Sequence, residues 1–193
     1  MTEAGGESDA LLVGRSLKGD DGAFAQLMSR LKQWTYRFVL RYVGDADDAY
    51  DVLQDTFFSA WLALSRYQSD RPFEGWLRRI ALNKCRDRAR RDAVRRVFSR
   101  LTADEAEVEA LPDPAPGPEA TLGTDQELTR LERSLTALPR SLREPLLLTA
   151  LEGLSHQQAG ELLGLNAKAV EMRVYRARAR LAALRASRKD SPR

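Results

Sequence analysis

The sequence predicts an all-α chain: two small helical domains joined by a flexible, acidic, proline-rich linker, the second containing a helix-turn-helix. Three observations predict it. Apolar residues recur at steps of three and four over residues 23–98 and again beyond residue 126, and no segment alternates with period two for long enough to argue a strand. Between Thr102 and Asp125 the periodicity stops, and Pro112, Pro114, Pro116 and Pro118 alternate through an acidic stretch, the composition of an extended tether. From Ser155 to Leu181 two helical patterns are separated by Gly164-Leu165-Asn166, a sharp turn followed by an N-cap residue. The expected division is 8–98, a linker over 99–126, and 127–188.

In the first domain, Ala23 to Tyr42 carries Phe24, Leu27, Met28, Leu31, Thr35, Phe38, Val39 and Tyr42 on one face, and Gly44-Asp45 breaks it. A second helix, Asp47 to Tyr67, places Ala49, Val52, Leu53, Thr56, Phe57, Ala60, Trp61 and Leu64 together. Ser69-Asp70-Arg71-Pro72 reads as a loop. Phe73 to about Phe98 is a third helix, with Trp76, Leu77, Ile80, Ala81 and Cys85 as its buried stripe. In the second domain Leu128, Leu131, Leu135 and Leu138 form a stripe that Pro139 ends. Ser141 with Glu144 reads as a capping box opening a helix to about Leu151. Pro145 removes a backbone donor there unless it sits in the first turn. Ser155 with Gln158 is another capping box, opening the short helix His156 to Leu163, in which Gly160 is small where two helices would cross. The last helix starts at Ala167, with Val170, Val174, Ala177 and Leu181 as its apolar stripe.

Composition narrows the function. The chain has 193 residues, is 43% hydrophobic and carries a net charge of only +3, but the charge is blocked. Ten Arg or Lys and two acids fall between Arg78 and Arg100, eight acids and no base between Thr102 and Glu127, and from Arg173 to the end Asp190 is the one acid. Two cationic surfaces suit a polyanion. Cys85 and His156 are single, so an intramolecular disulfide and a cysteine zinc site are excluded, and no metal or cofactor is expected. No apolar run reaches ~18 residues and no secretory signal opens the chain, so no membrane insertion and a cytoplasmic location are expected.

Three segments carry chemistry. On the second helix, opposite the core stripe, lie Asp48, Asp51, Gln54, Asp55, Phe58 and Leu62. This is either a solvated acidic face with incidental apolar residues or a docking surface for a basic partner helix. Asp47-Asp48-Ala49-Tyr50-Asp51 also spells DDxxD, the magnesium-diphosphate spacing of all-α isoprenoid synthases, but no second aspartate cluster lies on a helix to face it. The third helix offers Arg78, Arg79, Lys84, Arg86, Arg88, Arg90 and Arg91, with Asn83 and Asp87 one turn apart, and just upstream Arg66, Tyr67, Arg71, Phe73 and Trp76. Cations interleaved with aromatics suit an unstacked DNA strand, although Trp76 reads as core. The last helix carries Lys168, Glu171, Arg173, Arg176, Arg178 and Arg180, basic on one face and apolar on the other, as a major groove accepts.

Together these pieces resemble the sigma-70 family, in its extracytoplasmic-function (ECF) branch. Gly19-Asp20 followed by Ala23-Phe24 looks like the family's opening "GD..AF". Asp48-Ala49-Tyr50-Asp51-Val52-Leu53-Gln54-Asp55-Thr56-Phe57 resembles "DAEDLVQEVF", and Phe73-Glu74-Gly75-Trp76-Leu77-Arg78-Arg79-Ile80-Ala81-Leu82-Asn83 is similar to "FRAWLYRIARN". Leu138-Pro139, Arg143-Glu144 and Leu151-Glu152-Gly153-Leu154-Ser155 look like "LP…RE…LEGLS".

The resemblance implies a first domain that docks on the clamp helices of core RNA polymerase and melts the −10 element, and a second that holds the polymerase flap and reads the −35 element. The linker would thread the RNA path. By position Asp51, Gln54 and Asp55, with Asp48 and Phe58 beside them, match the docking residues. Asn83 and the loop from Ser65 to Arg71, with Arg66, Tyr67, Arg71, Arg79, Arg86, Asp87 and Arg90, match the −10 reader. Lys168, Glu171, Arg173, Arg176 and Arg178 match the −35 recognition helix; Glu171 and Met172 depart from the family's usual residues there. The expected role is a promoter-specificity subunit and not an enzyme, restrained by a separate anti-sigma partner that could hold it at the inner membrane. The alternative is a stand-alone helix-turn-helix regulator, which gives no role to the acidic face.

Overall fold

The computed structural model describes residues 7–68, 72–102 and 134–189, and among these every regular element is helical. Most of the expected linker, and Arg71 in the loop, lie outside the described residues.

A short helix not anticipated from the sequence, α1 (Asp9–Ser16), opens the fold; Ser8 caps it by accepting from the Leu11 N–H. Helix α2 (Asp21–Val43) starts at Asp20, whose carboxylate accepts from Ala23 N–H, and stops at Gly44, which takes the left-handed conformation with φ 83°. Helix α3 (Ala46–Ala63) is capped by Asp45 and runs into a 3₁₀ turn, Leu64–Arg66. Helix α4 extends from Phe73 to Thr102, past its expected end near Phe98.

In the second block residues 134–136 are helical, followed by α5 (Arg140–Leu146), α6 (His156–Leu163) and α7 (Ala167–Lys189). The start of α5 corrects the sequence reading. Pro139 stands at the N-cap and no side chain caps this helix, so Ser141 and Glu144 do not form a capping box. Pro145 lies beyond the first turn, where its missing N–H breaks the ladder, and the chain widens into a π turn over Leu147–Leu151. Thr149 Oγ1 donates to the Pro145 carbonyl, and Glu152 N–H reaches back five residues to Leu147.

Two apolar clusters hold the molecule. One joins α1, α2, α3 and the start of α4 through Leu12, Phe24, Leu27, Leu53, Phe57, Phe73 and Leu77. The other is shared by the two blocks. Phe38, Tyr42, Val52, Ala81, Leu82 and Cys85 of the first pack in one cluster with Leu135, Leu138, Leu146, Leu147, Leu148, Ala159, Val170, Val174 and Ala177 of the second. Each large apolar side chain buried there contributes roughly 1.5–3 kcal/mol relative to exposure. At the rim Thr136 sits so close to Gly44 that a side chain on Gly44 would strike it.

Candidate nucleic-acid interface

Three surfaces survive folding as exposed, chemically distinct faces. The first is on α3. Its core stripe is buried as expected except for Trp61, which is 39% exposed and meets Phe24 edge-on at 4.9 Å. Opposite it Asp51, Gln54 and Asp55 are exposed, and Phe58 and Leu62 are 64% and 66% exposed. Helix α4 runs alongside and supplies two arginines to this acidic face. Arg88 pairs with Asp48, which is half-buried, and Arg91 Nη2 stands 3.8 Å from Asp55. The resulting open groove is lined by Asp51, Val52, Gln54, Asp55, Arg88 and Arg91.

The second face is on α4. Arg79 and Asn83 are exposed one turn apart, Asp87 follows at the next turn, and Arg90 binds Asp87. Arg86 bridges this stripe and the second block, its Nη1 donating to Asn83 Oδ1 at 3.5 Å. Its Nη2 bonds Glu144 Oε2 at 2.7 Å and its Nε bonds Oε1 at 3.1 Å. Arg66 is exposed on the 3₁₀ turn. Tyr67 is half-buried, with its ring 5.3 Å from Phe73 and 5.5 Å from Trp76. Phe73 is fully buried and Trp76 half-buried, so the aromatics belong largely to the core.

The third face is the helix-turn-helix. Ser155 and Gln158 form the expected capping box, with bonds of 3.2 and 2.9 Å. Gly164 ends α6 at φ 70°, and Asn166 Oδ1 accepts from Ala169 N–H at 2.8 Å to start α7. Gly160 is small because the turn backbone crosses it: a side chain there would collide with the Leu165 carbonyl. Val170, Val174 and Ala177 face inward, leaving Lys168, Glu171, Arg176 and Arg178 exposed and Arg173 half-buried. Lys168 Nζ holds Glu171 Oε2 at 2.9 Å, and this hydrogen bond keeps the Glu171 carboxyl below its ordinary range. Tyr175, passed over in the sequence, is 69% exposed one turn beyond Glu171.

Sequence reasoning also missed the polar groups between the blocks. Glu144 accepts from Tyr42 Oη at 2.6 Å and from Arg140 Nε at 2.6 Å, besides Arg86. Glu152 accepts from Trp34 Nε1 at 2.5 Å and faces Arg78 Nη2 at 3.4 Å. Arg78 lies over the Trp34 ring, and Arg143 lies over the Tyr42 ring and donates to the Tyr42 carbonyl. Two acids, Glu144 and Glu152, set in the largely apolar stretch Leu142 to Leu154 were the signal.

Comparison with known proteins accounts for both blocks. The Sigma-70 region 2 family model matches residues 27–95, and the Sigma-70 region 4 model matches residues 128–181. The RNA polymerase sigma factor NccH of Alcaligenes xylosoxydans xylosoxydans is 40% identical over 177 residues, 91% of this chain and 94% of that protein. The chain belongs to the sigma-70 family. The ECF RNA polymerase sigma-E factor of Escherichia coli is 32% identical over 179 residues, covering 89% and 91% of the two chains, which places this sigma factor in the ECF branch. The solved structure of CnrH in complex with the cytosolic domain of CnrY is similar in fold as well, with a TM-score of 0.67 and 35% identity, covering 96% of this chain and 100% of that one. Sigma factors are transcription regulators that direct RNA polymerase to promoters. No helix among the described residues is long and apolar enough to cross a membrane.

Proposed function

We propose that this sigma factor divides promoter recognition between its two blocks, 8–98 and 127–188, with 99–126 as the tether that keeps them on one polymerase. The α3 face docks on core RNA polymerase through Asp48, Asp51, Gln54, Asp55 and Phe58. The α4 stripe of Arg79, Asn83, Asp87 and Arg90, with Arg66, Tyr67, Arg71 and Arg86 around it, takes the melted −10 strand. Helix α7 reads the −35 duplex through Lys168, Glu171, Arg173, Arg176 and Arg178. No catalytic step and no cofactor is assigned to the chain: it selects the template for an enzyme, in the cytoplasm. CnrH, its structural relative, was solved with the cytosolic domain of CnrY. By analogy this chain is restrained by an anti-sigma partner, which could hold it at the inner membrane.

The observation that carries the reading is the α3 face. Phe58 and Leu62 are about two-thirds exposed beside three carboxylates, and nothing in the packing of α3 requires them there. A stand-alone helix-turn-helix regulator has no use for such a face. Asp51→Arg combined with Asp55→Arg reverses the charge on exposed positions and leaves the core untouched. The exposed Arg91–Asp55 pair that it disrupts is worth little to the fold. The double variant should keep its helical spectrum and fail to copurify with core polymerase. Unchanged affinity would remove the docking assignment.

A further inference from the structure

The groove between α3 and α4 has walls of opposite charge. Asp51, Gln54 and Asp55 form one wall and Arg88 and Arg91 the other, with the buried Val52 between them. We infer that this groove takes a two-signed segment of core RNA polymerase: a helix that sets a cation against Asp51 and Asp55 and, one turn away, a carboxylate against Arg91. The inference rests on the docking reading of α3 above, which asks only for a basic partner, and adds the acid.

The two arginines are differently engaged. The Arg88 side chain is 19% exposed and is held within the fold, by Asp48 of α3 and by Asp92 at 3.2 Å. The Arg91 side chain is 62% exposed, and its Nη2 stands 3.8 Å from Asp55 Oδ2. That distance is too long for a hydrogen bond, so the contact uses none of the guanidinium's N–H donors. Asp51, one turn before Asp55 on α3, is exposed as well. Charges of both signs therefore face one groove with hydrogen-bonding capacity to offer.

This arrangement decides the partner. A segment carrying cations alone would bring them against Asp51 and Asp55 and, in the same step, against Arg91 beside them. Docking would then bury a guanidinium among like charges, which is strongly unfavourable. A carboxylate on the partner removes that penalty. It accepts charge-assisted bonds from Arg91 and frees Asp55 for the partner's cation. On a helix an acid and a base three or four residues apart share one face, as two walls of one groove require. Phe58 and Leu62, exposed further along the same face of α3, supply the apolar contact, and the charges set the register.

The test is the affinity of the full-length chain for core RNA polymerase, with the helical spectrum as the check on folding. Arg91→Glu should weaken binding roughly tenfold or more and Arg91→Gln several-fold. Helicity should not change, because so exposed an ion pair is worth little to the fold. Arg95→Glu makes the same change of charge one turn further along α4, at an exposed position outside the groove, and should weaken binding far less. Asp55→Arg/Arg91→Asp keeps an ion pair across the groove with its signs reversed, and should not bind.

An arginine that only competes with a basic partner for Asp55 predicts the opposite sign. Tighter or unchanged binding by Arg91→Glu overturns the inference. An equal loss with Arg95→Glu reduces the effect to net charge, and binding by the exchanged pair reduces it to groove shape; either result also overturns it. The docking reading is judged by a different variant. If Asp51→Arg/Asp55→Arg abolishes binding while Arg91→Glu does not weaken it, α3 still docks and the two-signed partner alone falls. Unchanged binding by Asp51→Arg/Asp55→Arg removes the docking reading itself.

Discussion

Glu144 is almost closed off from water and still keeps its charge. Burial works against the ionised form, but hydrogen bonds from Arg86, Tyr42 and Arg140 outweigh it and hold the carboxyl below its ordinary range. Arg86 is correspondingly raised, first through its bond to Glu144. A lowered carboxyl stabilises the folded form above the unfolded value, about 4.3 for glutamate, and that share is lost as pH falls through the lowered value. The stability gap between the natural chain and Glu144→Gln should therefore be constant from neutral pH down to about 5 and close below about 4; thermal melts across pH measure it. On α7, Glu171 repels phosphate, so under the proposed reading its use at DNA is to accept from a cytosine amino group or to orient a neighbour. Glu171→Ala should change the preferred −35 base at one position by about 1–3 kcal/mol. Arg178→Ala should weaken all sequences alike and flatten the salt dependence. Selection from a randomised −35 library with each variant decides both. Lys168 and Asp51 were legible in the sequence because an exposed position follows from the apolar stripe beside it. Arg86 was not: its place on the helix shows which way it leaves the axis, but not that Glu144, 58 residues away, waits for it.

Helices α5 and α6 show why the same local pattern succeeds once and fails once. Ser155 with Gln158 and Ser141 with Glu144 have identical spacing. The first closes its box because Gln158 is exposed and has nothing better to bind. The second is overridden, since Arg86 and Tyr42 offer Glu144 charge-assisted bonds in a dry site. Helix α1 escaped the sequence reading for another reason: its eight residues are too few to establish a period. The turn between α6 and α7 was legible, since Gly160, Gly164 and Asn166 each answer a backbone demand that other residues meet poorly. Gly160→Ala forces a methyl group against the Leu165 carbonyl. It should destabilise the second block by about 1–3 kcal/mol, the usual range for overpacking, and weaken binding to a −35 duplex. Calorimetry and a duplex titration test the two parts, and an unchanged melting temperature would show that the turn can give way.

At the scale of the molecule the proposed reading gives the two blocks separable tasks. Asn83 is exposed on α4, where its Oδ1 accepts from Arg86 Nη1 at 3.5 Å. Asn83→Ala should impair opening of the −10 region and spare binding of duplex −35 DNA, because a base must leave the stack before it is read. A permanganate footprint of the bubble measures this, and normal opening with lost duplex binding would reverse the roles. The sequence suggested two blocks on either side of the break in periodicity between Thr102 and Asp125, but the way the blocks meet was not readable from it. Tyr42 and Val39 look like ordinary core residues of α2, and nothing in their spacing says that they share a cluster with residues beyond 134.

Trp34 turns that meeting into an optical signal. Its indole N–H is held by Glu152, its ring stacks on Phe38 at 6.0 Å, and Arg78 lies over it at 4.9 Å. Trp61 and Trp76 pack against Phe24 and Phe73 in the first block, where the second block plays no part. If the second block is released from the first, Trp34 loses its carboxylate partner and gains water. The unlabelled protein should therefore shift its emission to longer wavelength as mild denaturant separates the blocks, and Trp34→Phe should reduce that shift. The strength of the contact between the blocks can then be read by fluorescence without an added label.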